Sequence, residues 1–176
     1  MIRAKKSLGQ NFLIDREVLE KITNVVQIKD KTILEVGPGT GNLTSFILKK
    51  NPKKMFVIEK DDELAINLSE TFKDQLTIIN DDILQVDENL IFKNKVTVFG
   101  NLPYNISTEI LSKWIINLED DPWFDCLVLM FQKEVADRII AKSNTSAYGR
   151  LPNTVTFSLK NKFSLKFKIS SFITVS

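Results

Sequence analysis

Hydrophobic and polar residues follow two different periods along this chain. Five short apolar runs, rich in β-branched residues, have the pattern of buried strands. Between them apolar residues recur three and four positions apart, as at Leu64, Leu68 and Phe72, which is the spacing of one buried helix face. The predicted strands cover residues 32–36, 55–59, 76–80, 96–99 and 124–131, and the predicted helices cover 42–50, 62–72, 108–117 and 133–141. Strands alternating with helices predict an α/β fold with a mostly parallel sheet flanked by helices.

A further helix is predicted over residues 16–26, before the first strand. Asp15 can cap the free amides of its first turn, and the apolar stripe includes Leu19 and Ile22. Because this helix precedes the first strand, we expect it to lie across the mouth of the sheet as a cover.

The composition excludes several kinds of chemistry. The 176 residues, 43% of them hydrophobic, suffice for one packed domain and include no His, so Ser-His-Asp, Cys-His and His-dependent zinc sites are excluded, and we expect no metal. Cys126 lies in an apolar run and is predicted to be buried, and Trp114 and Trp123 are predicted to be core aromatics. No apolar stretch reaches the length of a membrane-spanning helix, so we expect a soluble cytoplasmic protein.

Charge is distributed unevenly. The chain has 24 Lys and Arg against 22 Asp and Glu, a net charge of +2, but residues 151–176 carry four lysines and no acid. That end section is therefore +4 and residues 1–150 are −2. Together with Arg3, Lys5 and Lys6 it would suit a polyanionic partner, although scattered lysines more often serve solubility.

The first strand runs into a glycine-rich turn, Gly37-Pro38-Gly39-Thr40-Gly41, that opens a helix. Glycines there let the backbone pass close to a ligand, although a tight turn alone would also explain them. The second strand ends in Glu59, 18 positions after Gly41. An acid at that place can accept both ribose hydroxyls of a nucleoside, so the pattern favours a nucleotide-binding fold.

The residues after the third strand narrow the choice of nucleotide. Asp81-Asp82 follow this strand, and an acid there can accept the amino group of an adenine. The glycine turn lacks the Gly-x-Gly-x-x-Gly spacing of a pyrophosphate binder, and the chain has no triphosphate-binding loop. An adenosine without phosphates, meaning S-adenosylmethionine, is therefore favoured over NAD or ATP.

Asn101-Leu102-Pro103-Tyr104 follows the fourth strand and is the most specific motif in the chain. The Asn101 side-chain oxygen and the Leu102 carbonyl can accept the two hydrogens of a purine amino group, and Tyr104 can stack on the base. The alternative is a turn in which Asn101 caps a helix beginning near Ser107.

These motifs, in this order, resemble the ribosomal RNA adenine N6,N6-dimethyltransferases of the KsgA type and the related Erm methyltransferases. The resemblance covers residues 3 to about 150 and includes the segments 6–13 and 132–138. It implies the Rossmann-like fold of class I S-adenosylmethionine-dependent methyltransferases and a basic loop at 6–10. It also implies catalytic roles for the motif at 101–104 and contacts with S-adenosylmethionine by Asn11, Leu13, Gly37, Glu59, Asp82 and Asn101.

The function implied is transfer of methyl groups to N6 of two adjacent adenosines in a hairpin loop of small-subunit (16S) rRNA, during ribosome biogenesis. The partner would be this rRNA or the pre-30S particle, and we expect a monomer. Two alternatives stay open. One is an Erm-like activity on large-subunit rRNA, and the other is an RNA-binding ribosome assembly factor without turnover.

The chain departs from the family pattern after Arg150. Leu151-Pro152-Asn153 replaces the expected strand entry, and we expect the family's small C-terminal helical domain to be absent. We therefore expect a catalytic domain over residues 1–150 and an atypical tail over 151–176, forming a partial strand hairpin of the same domain. Phe172 lies at about the distance from Arg150 at which the family has a phenylalanine that closes on the target base.

Overall fold

The computed structural model describes residues 15–102, 106–116 and 122–131. The strands in these ranges are β1 (Thr32–Val36), β2 (Lys54–Ile58), β3 (Thr77–Ile79), β4 (Val96–Asn101) and β5 (Phe124–Met130). The α-helices are α1 (Arg16–Thr23), α2 (Asn42–Leu48), α3 (Asp62–Phe72), α4 (Glu88–Ile91) and α5 (Ser107–Ile116), and a 3-10 helix covers Lys73–Gln75. None of the helices described is long and apolar enough to cross a membrane.

The five strands form one sheet in the order β3-β2-β1-β4-β5, and every neighbouring pair is parallel. This confirms the predicted α/β class with a parallel sheet. From β1 the chain moves outward to β2 and β3, and then returns to place β4 on the other side of β1. The strands therefore share a carboxyl edge, and ligands of such sheets bind there, beside the point where the strand order reverses.

Both faces of the sheet are covered by apolar side chains. On one face Leu34 and Val98 pack with Leu111 of α5, and on the other Ile33 and Phe99 pack with helices α1 and α2. Alternate residues of a strand point to opposite faces, so one strand supplies both cores.

The expectation that the first helix covers the mouth of the sheet is wrong. Leu19 and Ile22 of α1 are buried in the same cluster as Ile33 and Val57 of the sheet. The helix therefore packs flat on a sheet face beside α2, because its apolar stripe is wide enough to need that face.

Most predicted element bounds are correct within one or two residues. Helix α1 ends at Thr23, earlier than predicted, and the Thr23 hydroxyl donates to the Leu19 carbonyl at 3.0 Å. Strand β4 continues two residues beyond the prediction, to Asn101. Helix α4 and the 3-10 helix were not predicted, since four and three residues are too short for a periodic pattern. The predicted helix over 133–141 lies outside the described residues.

The aromatic and cysteine predictions are confirmed. Trp114 is buried, and Trp123 packs against it edge to face and stacks on Phe92 with ring centroids 5.7 Å apart. Cys126 is a buried free cysteine.

Candidate functional site

The glycine turn follows β1 and lies beside the ends of β2 and β4. Gly37, Gly39 and Gly41 have φ angles of +66°, +59° and +81°. The Gly37 amide donates to the Ile58 carbonyl at 2.9 Å, and a Cβ on Gly37 would lie 3.8 Å from the Asn101 carbonyl oxygen. The turn after β1 therefore lies between the ends of β2 and β4.

Gly41 has a different role within the same turn. It precedes the first residue of α2 in a left-handed conformation, and a Cβ there would lie 2.5 Å from the Phe72 ring. Packing against α3, together with the positive φ angle, disfavours any side chain at this position. Sequence reasoning could not separate the two roles, because Phe72 is 31 positions away in the chain.

Glu59 is buried directly after β2 and is bound to the glycine turn. Its Oε2 accepts from the Gly39 amide at 3.1 Å, and its Oε1 accepts from the Asp61 amide at 3.0 Å. Burial raises the pKa of Glu59, and these two amide hydrogen bonds oppose the rise. A carboxylate has about four acceptor sites and two are used by these amides, so Glu59 can still accept hydrogen bonds from hydroxyl groups of a ligand.

Asp82 follows β3 at the same edge. Its Oδ2 accepts from Lys60 Nζ at 2.7 Å, and its Oδ1 accepts from the Leu84 amide at 3.0 Å. The hydrogen bond from Lys60 is the main reason that the pKa of Asp82 lies below its ordinary value. Asp82 is therefore an ionised acceptor whose orientation is set by two donors.

Asn101 and Leu102 lie at the end of β4. Asn101 pairs with Met130 of β5 and is partly exposed, whereas the Leu102 side chain is 1% exposed. A Cβ on Gly100 would lie 2.8 Å from Leu102 Cδ2, so a side chain at this position would displace Leu102. Leu102 thus anchors the start of the motif in the core while Asn101 stays at the carboxyl edge.

Five residues of the predicted site are described: Leu102 is buried, and the other four lie at one edge of the sheet. Gly37, Glu59, Asp82 and Asn101 follow or end β1, β2, β3 and β4, at the shared carboxyl edge of the sheet. Asn11, Leu13, Pro103 and Tyr104 lie outside the described residues, as do segments 6–10 and 132–138. Their roles stay predictions.

Lys113 of α5 and Glu88 of α4 connect the segments that follow β4 and β3, and sequence reasoning missed both. Lys113 Nζ donates to the carbonyls of Ile83 and Val86 and to Glu88 Oε1, the last at 3.0 Å. The Trp114 Nε1 also donates to Glu88 Oε1, at 2.6 Å. The signal available in the sequence was a lysine directly beside the buried positions of α5.

Glu35 is a third residue that sequence reasoning missed. It is buried in the middle of the sheet, and its Oε2 accepts from the Thr44 hydroxyl of α2 at 2.7 Å. Burial raises its pKa to about 8, the nearby Glu59 charge adds to the rise, and the Thr44 hydrogen bond opposes it. Its position two residues before the glycine turn was the available signal.

A family of known proteins matches most of the chain. The family model described as "Ribosomal RNA adenine dimethylase" matches residues 1–167. The chain belongs to the ribosomal RNA adenine dimethylase family. Its five-stranded parallel sheet is that of the class I S-adenosylmethionine-dependent methyltransferases, as the prediction had it.

Individual relatives of the family match most of the chain. The Ribosomal RNA small subunit methyltransferase A of Pelagibacter ubique (strain HTCC1062) is 63% identical over 171 residues, which are 97% of this chain and 65% of that protein. A dimethyladenosine transferase from Plasmodium falciparum has a TM-score of 0.70 at 32% identity, covering 85% of this chain and 52% of that one. The 23S rRNA methyltransferase ErmE has a TM-score of 0.63 at 26% identity, covering 81% and 54%. The chain thus spans just under two thirds of the length of the Pelagibacter relative.

Proposed function

We propose that this protein transfers methyl groups from S-adenosylmethionine to N6 of two adjacent adenosines in small-subunit rRNA, giving N6,N6-dimethyladenosine during ribosome biogenesis. The observation that carries the proposal is the placement of Gly37, Glu59, Asp82 and Asn101 at four neighbouring strand ends. The 63% identity with the Pelagibacter small-subunit methyltransferase supports the choice of substrate.

The residues at the carboxyl edge fit S-adenosylmethionine. Glu59 offers a buried acceptor for ribose hydroxyls and Asp82 an ionised acceptor for the adenine amino group, and Gly37 leaves space beside Asn101. When bound, S-adenosylmethionine supplies the methyl group and a positive sulfonium charge.

The charge of the edge supports the same ligand. Residues 59–63 and 81–82 contain six acids and one basic residue, Lys60, which is paired with Asp82. A negative edge stabilises a cationic ligand and repels a pyrophosphate. This favours S-adenosylmethionine over NAD or ATP.

The end of β4 would hold the target base. We assign the Asn101 side-chain oxygen and the Leu102 carbonyl as acceptors for the two hydrogens of the adenine amino group, so that its nitrogen lone pair is oriented for attack. These acceptors bind more strongly as the nitrogen becomes cationic, which lowers the barrier without a strong base. Tyr104 would stack on the base, which has to leave its RNA stack to enter the site.

A large-subunit target is the second candidate. The similarity in fold to the 23S rRNA methyltransferase ErmE, at 26% identity, supports it. Substrate choice depends on RNA contacts away from the reacting atom. The higher identity with the Pelagibacter protein makes small-subunit rRNA the first choice.

The test is methyl transfer to ribosomal particles that lack these methyl groups. Small and large subunits are incubated separately with S-adenosylmethionine labelled on the methyl group, and the labelled nucleoside is identified after digestion. We expect N6,N6-dimethyladenosine from the small subunit alone. Label in the large subunit alone would establish the second candidate, and cofactor binding with no transfer to either subunit would indicate an assembly factor without turnover.

A further inference from the structure

The amino edge of the sheet, opposite the candidate site, carries a group of lysines. Two loops lead into β1 and β2, residues 28–31 and 49–54, and they contain Lys29, Lys31, Lys49, Lys50, Lys53 and Lys54. The Lys53 amide donates to the Lys31 carbonyl at 2.8 Å, and the Asp30 amide donates to the Asn51 carbonyl at 3.2 Å. These bonds hold the loops side by side, so the six lysines form one surface, here called the lysine edge.

Little negative charge compensates the lysine edge. Asp30 is the one acid within its two loops. Lys31 is paired with Asp125 at 2.7 Å, and Lys50 donates to the neutral side chain of Asn24 at 2.8 Å. The surface is extended by Lys93 and Lys95, which precede β4, the neighbour of β1.

The lysines are placed to meet a ligand from solvent. Lys29, Lys49, Lys53 and Lys54 are exposed. Lys49 Nζ lies 4.6 Å above the Phe46 ring, which limits its movement while leaving its donors available. Ammonium groups on flexible stems bind phosphates as point charges and need no fixed ligand geometry.

The two edges of the sheet therefore differ in charge. The carboxyl edge is acidic around Glu59 and Asp82, so it disfavours close approach of RNA phosphates even though a target base enters there. A strand of five residues spans about 17 Å, so a flipped nucleotide in the site cannot also reach the lysine edge. An RNA that contacts both edges has to be a large folded one.

We propose that the lysine edge is a second RNA-binding surface, which contacts phosphates of the substrate rRNA in a region apart from the target loop. The identity of the RNA rests on the proposed function, but the binding surface does not require methyl transfer. Contacts of this kind position the protein on RNA and do not read its sequence. They would add affinity that the acidic carboxyl edge cannot supply.

The experiment compares variants of the full chain for binding to unmodified small-subunit particles at several salt concentrations. The first variant changes Lys53 and Lys54 to Gln, and the control changes Arg16, an exposed basic residue at the start of α1, to Gln. Each lost phosphate contact lowers the slope of log affinity against log salt by about 0.7 to 0.9. We expect the lysine-edge variant to lower this slope by about 1 to 2 and to bind the particles roughly tenfold more weakly. Its affinity for S-adenosylmethionine should be unchanged. The control should match the wild type.

Several outcomes would overturn the proposal. An unchanged slope, or an equal loss in the control, would show that the lysine edge has no specific part in RNA binding. If the lysine-edge variant lost binding to phosphatidylserine vesicles but kept its RNA binding, the lysine edge would bind a lipid surface instead. Failure of the proposed function is a separate result, since a wild type without methyl transfer can still show the difference in RNA binding.

Discussion

Lys113 Nζ donates to Glu88 Oε1 at 3.0 Å, and this bond joins the helix that follows β4 to the segment that follows β3. The same ammonium group donates to the carbonyls of Ile83 and Val86, in the turn that begins at Asp82. Lys113 therefore holds α5 against the turn that carries Asp82. Asp82 is the proposed acceptor for the cofactor's adenine, and α5 follows the target-base motif.

Replacing Lys113 by Met should lower the free energy of unfolding by about 1 to 3 kcal/mol, because the buried Glu88 carboxylate loses a charged donor. The affinity for S-adenosylmethionine should also fall, since the turn that carries Asp82 loses its hydrogen bonds from Lys113. Urea unfolding and calorimetric titration measure the two effects. Lys93→Met, at an exposed position, is the control and should stay within about 0.5 kcal/mol of the wild type. Equal behaviour of the two variants would contradict the prediction.

Replacing Glu59 by Gln should weaken S-adenosylmethionine binding by about 10- to 100-fold, or roughly 1.5 to 3 kcal/mol. The amide has one acceptor oxygen, so it cannot receive both the Gly39 and Asp61 amides, and it loses the charge-assisted bonds to ribose hydroxyls. Calorimetric titration checks this, with Glu70→Gln on the exposed side of α3 as the control. Binding within twofold of the wild type would show that Glu59 does not hold the cofactor.

Replacing Asn101 by Ala should lower turnover by about 100-fold or more, as expected for loss of an acceptor in a preorganised site. Leu102 stays buried in this variant, so the melting temperature should change little. Single-turnover methyl transfer separates chemistry from RNA binding, and Asn89→Ala on exposed α4 is the control. A turnover equal to that of the control would remove Asn101 from the catalytic motif.

Glu35 should make stability depend on pH. Its pKa is about 8 in the folded protein and near 4.5 when exposed, so between these values the folded state binds more protons than the unfolded state. The free energy of unfolding contributed by Glu35 is therefore fully present below about pH 4.5 and is lost as pH rises toward 8.

Glu35→Gln keeps an oxygen for the Thr44 hydroxyl but cannot titrate. The free energy of unfolding of this variant minus that of the wild type should rise between pH 5 and pH 8.5, by on the order of 3 kcal/mol. Urea unfolding at both pH values measures the difference, with Glu20→Gln on the exposed face of α1 as the control. A constant difference across this range would mean that Glu35 is ionised at both values.

The sequence by itself determined the fold class and the positions of the candidate site. Continuous apolar runs and period-3.6 stripes are local properties, so β1 and α3 were predicted at their observed bounds. Glu59, Asp82 and Asn101 could be selected because polar residues directly after buried strands have to meet at one edge of a parallel sheet.

The tertiary structure decided what those residues contact. The bonds from Gly39 to Glu59, from Lys60 to Asp82 and from Lys113 to Glu88 join residues 20 to 25 positions apart, and no local pattern encodes such pairs. The packing of Gly41 against Phe72 and the joining of two lysine-rich loops depend equally on which strands become neighbours. Strand order follows from the packing of both sheet faces at once, which is a property of the whole folded chain and not of any one segment.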